Sequence, residues 1–234
     1  MLYESPNNLP EAVNLLAKAK GKAFVLAGGS DLLVRMKGGY IEPDLIVDIK
    51  RIKSMNTIKK TPAGFVIGGA VSCASMGSHT ALCKAWPGVV EAANLIGSDQ
   101  IQGRCTVVGN LCNASPAADS VPAMIAAGAT ALIEGPRGER EVAVEKIAKG
   151  PGVTTLKKGE IVTAIQLPVK QRRSGDAYLR FTPRTEMDIA VVSAAVNLTL
   201  GAKGVITYAR VALGAVAAKA MLVKSAAKAI IGTT

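Results

Sequence analysis

The stretch GRCTVVGNLCNASPAADSVPA, residues 103–123, gathers small and hydrogen-bonding residues between two apolar segments. Glycine lets a backbone approach a ligand closely, and free N–H groups at the start of a helix favour an anion such as phosphate. The residues expected to contact the ligand here are Thr106, Gly109, Asn110, Ser115 and Asp119. The first three would donate to phosphate and the last two would contact sugar hydroxyls. The pattern therefore predicts one wall of a site for a phosphorylated ligand.

A second glycine turn, AGGSDL at residues 27–32, also follows an apolar run and precedes a helix start. Its donors would be the backbone amides of residues 28–32 and the Ser30 hydroxyl. Neither turn has the GKS or GKT of a Walker loop, and neither has GxGxxG spacing. Each turn taken alone is at least as compatible with an ordinary structural turn. Together they suggest a diphosphate held from two sides.

The amino-acid composition limits the classes of function that this chain can have. The chain has 234 residues, 49% of them hydrophobic, and a formal net charge of +11. Such a charge raises a nucleic-acid hypothesis. The basic residues, however, form short scattered clusters without interleaved aromatic residues. A solvated surface, or a surface that docks an acidic partner subunit, explains them at least as well.

The chain has no sequence signal for secretion or for membrane insertion. Its N-terminus lacks the basic-then-apolar order of a secretory signal, and its longest nearly uninterrupted apolar run, residues 189–196, is too short to span a bilayer. We therefore expect a cytoplasmic protein. The single histidine, His79, excludes a histidine-based metal site, and the four cysteines lack a CxxC pair and are expected to be free thiols.

Local patterns predict mixed helices and strands. Asn7 or Asn8 is expected to cap a first helix with Pro10 in its first turn, and Asp31 is expected to cap a second helix. Apolar runs predict strands over residues 23–26 and 45–49, and a Gly-Pro-Arg-Gly turn predicts a hairpin over residues 129–144. The last section predicts three strands in an antiparallel meander and an amphipathic helix over residues 219–231.

Five motifs occur in this order along the chain: AGGSDLL, IGSDQIQGRCTVVGNLCNASPAADSVPA, GEIVTAIQLP, RFTPRTEMDIAVVSAAV and ARVALGAV. Together they resemble the motifs of the FAD-binding medium subunit of molybdenum hydroxylases. This family includes medium subunits of carbon monoxide dehydrogenase, flavin subunits of nicotinate dehydrogenase and the flavin domain of xanthine dehydrogenase. The motifs cover most of the chain and are far more specific jointly than either glycine turn.

The resemblance implies an α+β protein with an FAD-binding fold of the vanillyl-alcohol-oxidase (PCMH) type. Two N-terminal α/β lobes would occupy residues 1–55 and 56–174 and enclose FAD. A C-terminal antiparallel sheet with a helix would occupy residues 175–234. Relatives usually continue through more helix after ARVALGAV, so the C-terminal lobe is expected to be incomplete.

The resemblance also implies which residues contact FAD. The first clamp would wrap the diphosphate through the backbone of Val25, Leu26, Ala27, Gly28, Gly29, Ser30, Asp31 and Leu32. The second clamp would be formed by Thr106, Val108, Gly109 and Asn110. Further contacts would come from Ser115, Asp119, Ile161 and Val162. Ile96 falls where some relatives place a ring-stacking aromatic residue, and Arg180 falls where relatives usually place a lysine near the flavin ring.

One position departs from the family pattern. The second clamp usually reads TIGGN, whereas this chain reads TVVGN and so places Val108 at a glycine position. A valine would be strained there if the backbone required a positive φ.

The implied role is an electron-transfer subunit with no catalytic residue and no metal site of its own. Its partners would be a molybdopterin-binding large subunit and a [2Fe-2S] small subunit, in a hetero-oligomer such as a dimer of heterotrimers. Nucleic acid and membrane spans are not expected. Two alternatives stay open: a stand-alone FAD oxidoreductase, and a basic module that binds nucleotides or RNA.

Overall fold

The computed structural model describes residues Met1–Thr234 and contains fourteen strands and nine α-helices. The strands are β1 Leu2–Glu4, β2 Ala23–Leu26, β3 Leu45–Asp48, β4 Ile58–Thr61, β5 Gly64–Gly68, β6 Thr130–Gly135, β7 Gly138–Ala143, β8 Ala148–Gly150, β9 Val153–Thr154, β10 Ile161–Leu167, β11 Ser174–Phe181, β12 Val192–Leu200, β13 Ile206–Gly214 and β14 Met221–Leu222. The helices are α1 Leu9–Lys18, α2 Leu32–Lys37, α3 Cys73–Gly77, α4 Thr80–Ala85, α5 Pro87–Asn94, α6 Asp99–Gln102, α7 Val107–Asn113, α8 Ser120–Ala127 and α9 Lys224–Ile230. The mixed α and β architecture agrees with the predicted fold class.

The first sheet is parallel, in the order β1-β3-β2. Helix α1 packs beside it and begins as the sequence predicts: the Asn8 side chain accepts a hydrogen bond of 2.9 Å from the Glu11 N–H. Ala12, Val13 and Leu16 lie on one helical face and are buried against β3. This small core fixes the end of β2, from which the first glycine turn leaves the sheet.

The second sheet is antiparallel, in the order β4-β5-β10-β6-β7. The predicted hairpin is confirmed, with Gly135 paired to Gly138 across the turn. Helices α3 to α8 lie between β5 and β6 in the chain. These helices and the short segments that join them supply most of a large buried cluster that includes Met76, Trp86 and Met124.

The third sheet contains the predicted meander β11-β12-β13, extended by β14. Tyr178, Ala195 and Ala212 on its inner face belong to the same buried cluster as α5 and α8. The predicted helix over residues 219–231 is too long at its start. Met221 and Leu222 pair with β13 instead, and the helix begins at Lys224.

The boundaries of the predicted three-part division, at residues 55 and 174, stay a prediction. No helix in the structure is both long enough and apolar enough to cross a membrane.

We expect Gly88→Ala to lower the free energy of unfolding by about 1–3 kcal/mol, because a Cβ at this position overpacks the contact between α5 and β11. That Cβ would lie 2.8 Å from both the Cα and the N of Ala177. Urea denaturation measures the change.

The matched control for this substitution is Gly175→Ala in β11, where a Cβ meets no atom within 4 Å. The control should stay within about 0.5 kcal/mol of the parent protein. Equal stability of the two variants would contradict the close packing of α5 on the sheet.

Candidate cofactor-binding site

A cavity of about 340 Å³ lies between the first and second sheets and brings both glycine-rich segments together. Most of the residues implicated by the family resemblance line it. These are Val25, Ala27, Gly28, Gly29, Ser30, Asp31, Leu32, Ile96, Thr106, Val108, Gly109, Asn110, Ile161 and Val162. Segments more than 130 residues apart in the sequence thus meet around one space.

Four predicted residues do not line the cavity. Leu26 is buried beneath the first turn, and Ser115, Asp119 and Arg180 also lie outside the lining. Asp119 and Arg180 are instead paired with each other, as described below. A direct role of these four residues at a cofactor stays a prediction.

Gly28 makes the closest approach between the two glycine-rich segments. A Cβ at this position would lie 2.0 Å from the Arg104 carbonyl oxygen and 2.9 Å from the Cys105 Cα. No side chain larger than hydrogen fits there without moving the backbone. Gly29 is required for a second reason, because its φ is +81°.

The backbone N–H groups of residues 28–32 have no acceptor within the chain. Five consecutive donors at the wall of a cavity form a binding site for an anion, because an anion can accept hydrogen bonds from unpaired N–H groups. The predicted first clamp is therefore present as a row of available amides.

A charge cluster around buried Asp48 holds the start of this turn. The Lys50 Nζ lies 2.7 Å from Asp48 Oδ2 and donates to the Ala27 carbonyl oxygen at 3.2 Å. Asp48 also accepts from the Tyr3 hydroxyl at 2.5 Å and from the Lys50 N–H at 3.0 Å. Burial raises the pKa of Asp48, but these hydrogen bonds outweigh it and the net pKa is lowered. Asp48 is thus ionised and holds Lys50 against the turn.

The second clamp is the first turn of α7. Thr106 is its N-cap, and the Thr106 Oγ1 accepts from the Gly109 N–H at 2.9 Å. The Asn110 N–H donates to the Thr106 carbonyl, so two of the predicted backbone donors are engaged. The N–H groups of Val107 and Val108 have no acceptor within the chain and replace them as the available donors.

Val108 is not strained. It lies within helix α7 and does not have a positive φ. The helical start of this clamp accommodates a valine at the position where the family pattern described above has glycine, because a right-handed helix needs no left-handed residue.

Two side-chain contacts tie the clamps to their surroundings. Asn110 Oδ1 accepts from the Ser120 hydroxyl at 2.7 Å, which joins α7 to the start of α8. The Asn113 Nδ2 donates to Asp31 Oδ1 at 3.2 Å, which joins α7 to the first clamp. Asp31 was expected to cap α2 through its side chain, but it makes no such bond. Burial raises the pKa of Asp31, and nearby Arg35 opposes the rise.

Asp119 lies behind this wall in a buried cluster. Its Oδ1 accepts from the Tyr178 hydroxyl at 2.8 Å, and its Oδ2 accepts from Arg180 Nη1 at 2.9 Å. Burial raises the pKa of Asp119, against the opposing effects of Tyr178 and Arg180. The cluster joins the start of α8 to β11 and thus fixes the C-terminal sheet relative to the second clamp.

The sequence patterns missed several lining residues. These are Ala23, Phe24, Arg35, Ile49, Gly69, Cys105, Cys112, Asn113, Thr154, Leu156 and Glu160. Helical spacing would have found two of them, since Arg35 follows Asp31 by four positions and Asn113 follows Asn110 by three. No spacing or residue pattern next to Glu160 predicts that its side chain lines the cavity.

Glu160 is held by a residue from another strand. Arg140 donates to its two carboxylate oxygens at 2.9 and 2.7 Å, and the Lys157 N–H donates to Oε2 at 2.7 Å. The Arg140 hydrogen bonds lower the pKa of Glu160 despite an opposing effect of burial. Glu160 itself lines the cavity immediately before β10.

Comparison with known proteins agrees with this geometry. Residues 1–170 match the family described as the FAD binding domain in molybdopterin dehydrogenase, and residues 177–234 match the CO dehydrogenase flavoprotein C-terminal domain. The chain belongs to this flavoprotein family. It is therefore a flavoprotein subunit of the molybdopterin-containing dehydrogenase class, and its cofactor is FAD.

Individual relatives extend over nearly the whole chain. The carbon monoxide dehydrogenase medium chain of Afipia carboxidovorans is 32% identical over 99% of this chain and 80% of its own length. The nicotinate dehydrogenase FAD-subunit of Eubacterium barkeri is 27% identical over 98% and 79%, respectively. The solved CO dehydrogenase from Oligotropha carboxidovorans superposes with a TM-score of 0.94 at 32% identity, over 99% of this chain and 80% of that one.

The residues present fit FAD. The amides of residues 28–32 suit a diphosphate, and the Asn110 side-chain amide keeps its Nδ2 as a further donor on the same wall. The apolar side chains of Ile96, Ile161 and Val162 suit a flat ring. Gly28 and Gly29 permit the turn that presents these amides, because a Cβ on either residue would overlap neighbouring protein atoms.

We expect Gly28→Ala to weaken FAD binding about tenfold or more, equivalent to roughly 1.4 kcal/mol. The added Cβ would push the turn from the Arg104 carbonyl and misdirect the amides. Flavin absorbance per chain, with circular dichroism as a check of folding, measures the effect.

Gly103→Ala is the control for Gly28→Ala, because its nearest contact would be an ordinary 3.5 Å and its φ is −62°. Gly103→Ala should retain FAD. Full FAD occupancy in Gly28→Ala would refute the first clamp.

We expect Glu160→Gln to lower the free energy of unfolding by about 1–2 kcal/mol at neutral pH, since it removes charge-assisted bonds to a partly exposed arginine. The folded-state pKa of Glu160 lies below its ordinary value of 4.5. Its contribution is therefore complete above that pH and disappears as pH falls through the folded-state pKa.

The parent protein and Glu160→Gln should thus converge in stability toward acidic pH, as measured by urea denaturation at several pH values. Exposed Glu141→Gln is the control and should follow the parent throughout. A constant difference between the parent and Glu160→Gln at all pH values would contradict the ion pair.

Proposed function

We propose that this chain is the electron-transfer subunit of a molybdenum hydroxylase complex. It would receive electrons from the [2Fe-2S] clusters of a small subunit, after a molybdopterin-binding large subunit has oxidised the substrate, and pass them to an external acceptor. The observation that carries this proposal is the row of free amides at residues 28–32 on a cavity wall, in a member of the FAD-binding family.

FAD supplies the redox chemistry when bound, because it accepts electrons singly and releases them in pairs. The protein's residues bind and orient it. The two clamps hold the diphosphate, while Ile96, Ile161 and Val162 exclude water from a ring. The Arg140–Glu160 pair neutralises the carboxylate that would otherwise repel a phosphorylated ligand.

The two carboxylates of the lining have structural roles. Glu160 is paired with Arg140, and Asp31 accepts from Asn113. No acid and base face each other across the cavity as general acid–base catalysis requires. This arrangement supports a role in which substrate oxidation occurs on another subunit.

Exposed apolar side chains support contact with partner subunits. Leu179, Phe181 and Ile189 are exposed by 74%, 60% and 75%, respectively, and lie on or beside β11. Apolar residues grouped in this way mark protein–protein contact sites. The net charge of +11 favours an acidic partner.

The proposal is tested by co-expressing this chain with a molybdopterin-binding subunit and an iron–sulfur subunit from the same source. The purified complex is chemically reduced without oxygen and then mixed with NAD⁺, a quinone or oxygen. Absorbance follows re-oxidation of the iron–sulfur clusters.

In a complex carrying Gly28→Ala we expect the rate of cluster re-oxidation to fall by about tenfold or more. Protein without FAD has no cofactor that passes electrons from the clusters to the acceptor. The Gly103→Ala complex is the control. Equal re-oxidation in both, or a lone chain that turns over substrates without partners, would overturn the subunit role and favour a stand-alone oxidoreductase.

A further inference from the structure

Two of the four free cysteines are neighbours, one in the cavity wall and the other behind it. Cys73 begins α3, and Cys105 immediately precedes Thr106, the cap of α7. The Cys73 N–H donates to the Cys105 carbonyl oxygen at 2.9 Å. A direct backbone hydrogen bond of this kind is compatible with the Cα separation of roughly 4.4–6.8 Å that disulfides usually have.

The two side chains also affect each other's ionisation. Interaction with the Cys73 side chain lowers the pKa of Cys105, and Cys105 in turn raises the pKa of Cys73. Burial and nearby Asp31 oppose the lowering of the Cys105 pKa. Cys105 is therefore the thiol that more readily ionises, and a thiolate is the form that reacts.

Their positions differ in access. Both are buried, but Cys105 is 4% exposed and lines the cavity, whereas Cys73 is 0% exposed and does not line it. A small molecule in the cavity meets Cys105 first. Cys73 can react only with its neighbour.

We propose that Cys73 and Cys105 form an oxidisable dithiol in the cofactor cavity, for which hydrogen peroxide is the oxidant and a Cys73–Cys105 disulfide is the product. The Cys105 thiolate attacks one peroxide oxygen, the O–O bond breaks, and a sulfenic acid forms with release of hydroxide. The Cys73 sulfur then attacks the sulfenic sulfur. An S–S bond forms, and the oxygen leaves as water with the thiol proton. Two thiols are oxidised and one peroxide is reduced.

Occupancy of the cavity should control this reaction. Gly28, in the first clamp, lies directly over the Cys105 Cα. A diphosphate on the amides of residues 28–32 would cover the route to Cys105. This part of the inference rests on the proposed binding of FAD, whereas disulfide formation in the FAD-free protein does not.

The test uses Cys83→Ser/Cys112→Ser protein, in which Cys73 and Cys105 are the remaining thiols. Flavin-free and FAD-saturated samples are treated with hydrogen peroxide. Free thiols are counted after denaturation, and peptides are mapped by mass spectrometry without reductant.

In the flavin-free sample we expect both thiols to disappear and the two cysteine peptides to be joined, with reversal by dithiothreitol. In the FAD-saturated sample the same product should form about tenfold or more slowly, since reactivity follows exposure. An unlinked pair after peroxide treatment would overturn the dithiol. Equal rates with flavin absorbance retained would overturn its control by the cofactor.

Single substitutions in the same background establish the order of reaction. Cys73→Ser should leave Cys105 as a sulfenic acid that dimedone captures, and Cys105→Ser should leave Cys73 unmodified. Rapid oxidation of Cys73 in the absence of Cys105 would contradict the inference. If the protein failed to bind FAD yet formed the disulfide, the proposed function would fail while the dithiol stood.

Discussion

The absence of a side chain at Gly28 is the constraint on which the cavity depends. The first turn meets the Arg104–Cys105 backbone so closely that a single methyl group would separate them. This contact places five free amides opposite the start of α7, although the two segments are far apart in the chain. The anchoring of Ala27 by Lys50 then keeps the turn from moving away.

Much of the fold was predictable because its signals are local. The Asn8 cap, the hairpin at residues 135–138 and the meander of the third sheet each follow from short patterns in the chain. The start of α9 was not predictable, because the pairing of Met221 with Leu213 overrides a helical pattern. Hydrogen bonds between segments distant in the chain determine the residue at which such a helix begins.

The glycine-rich segments identified the site, but not its details. Sequence could place Gly109 at the second clamp but could not reveal that Thr106 occupies its N–H. Likewise, the side chain of Asp31 pairs with Asn113, which lies 82 positions away. The contact between Glu160 and Arg140 joins two strands and has no spacing signature. These features arise from tertiary arrangement.

The buried cluster of Asp119, Tyr178 and Arg180 limits how this protein can diverge. Removing the Asp119 carboxylate alone would leave the Arg180 guanidinium and the Tyr178 hydroxyl buried without this partner, whereas replacing all three residues with apolar residues of similar volume would remove these polar groups together. We therefore expect related sequences to change these three residues together. Substitutions at the start of α8 and in strand β11 should be correlated during evolution, although the two segments are far apart in the gene.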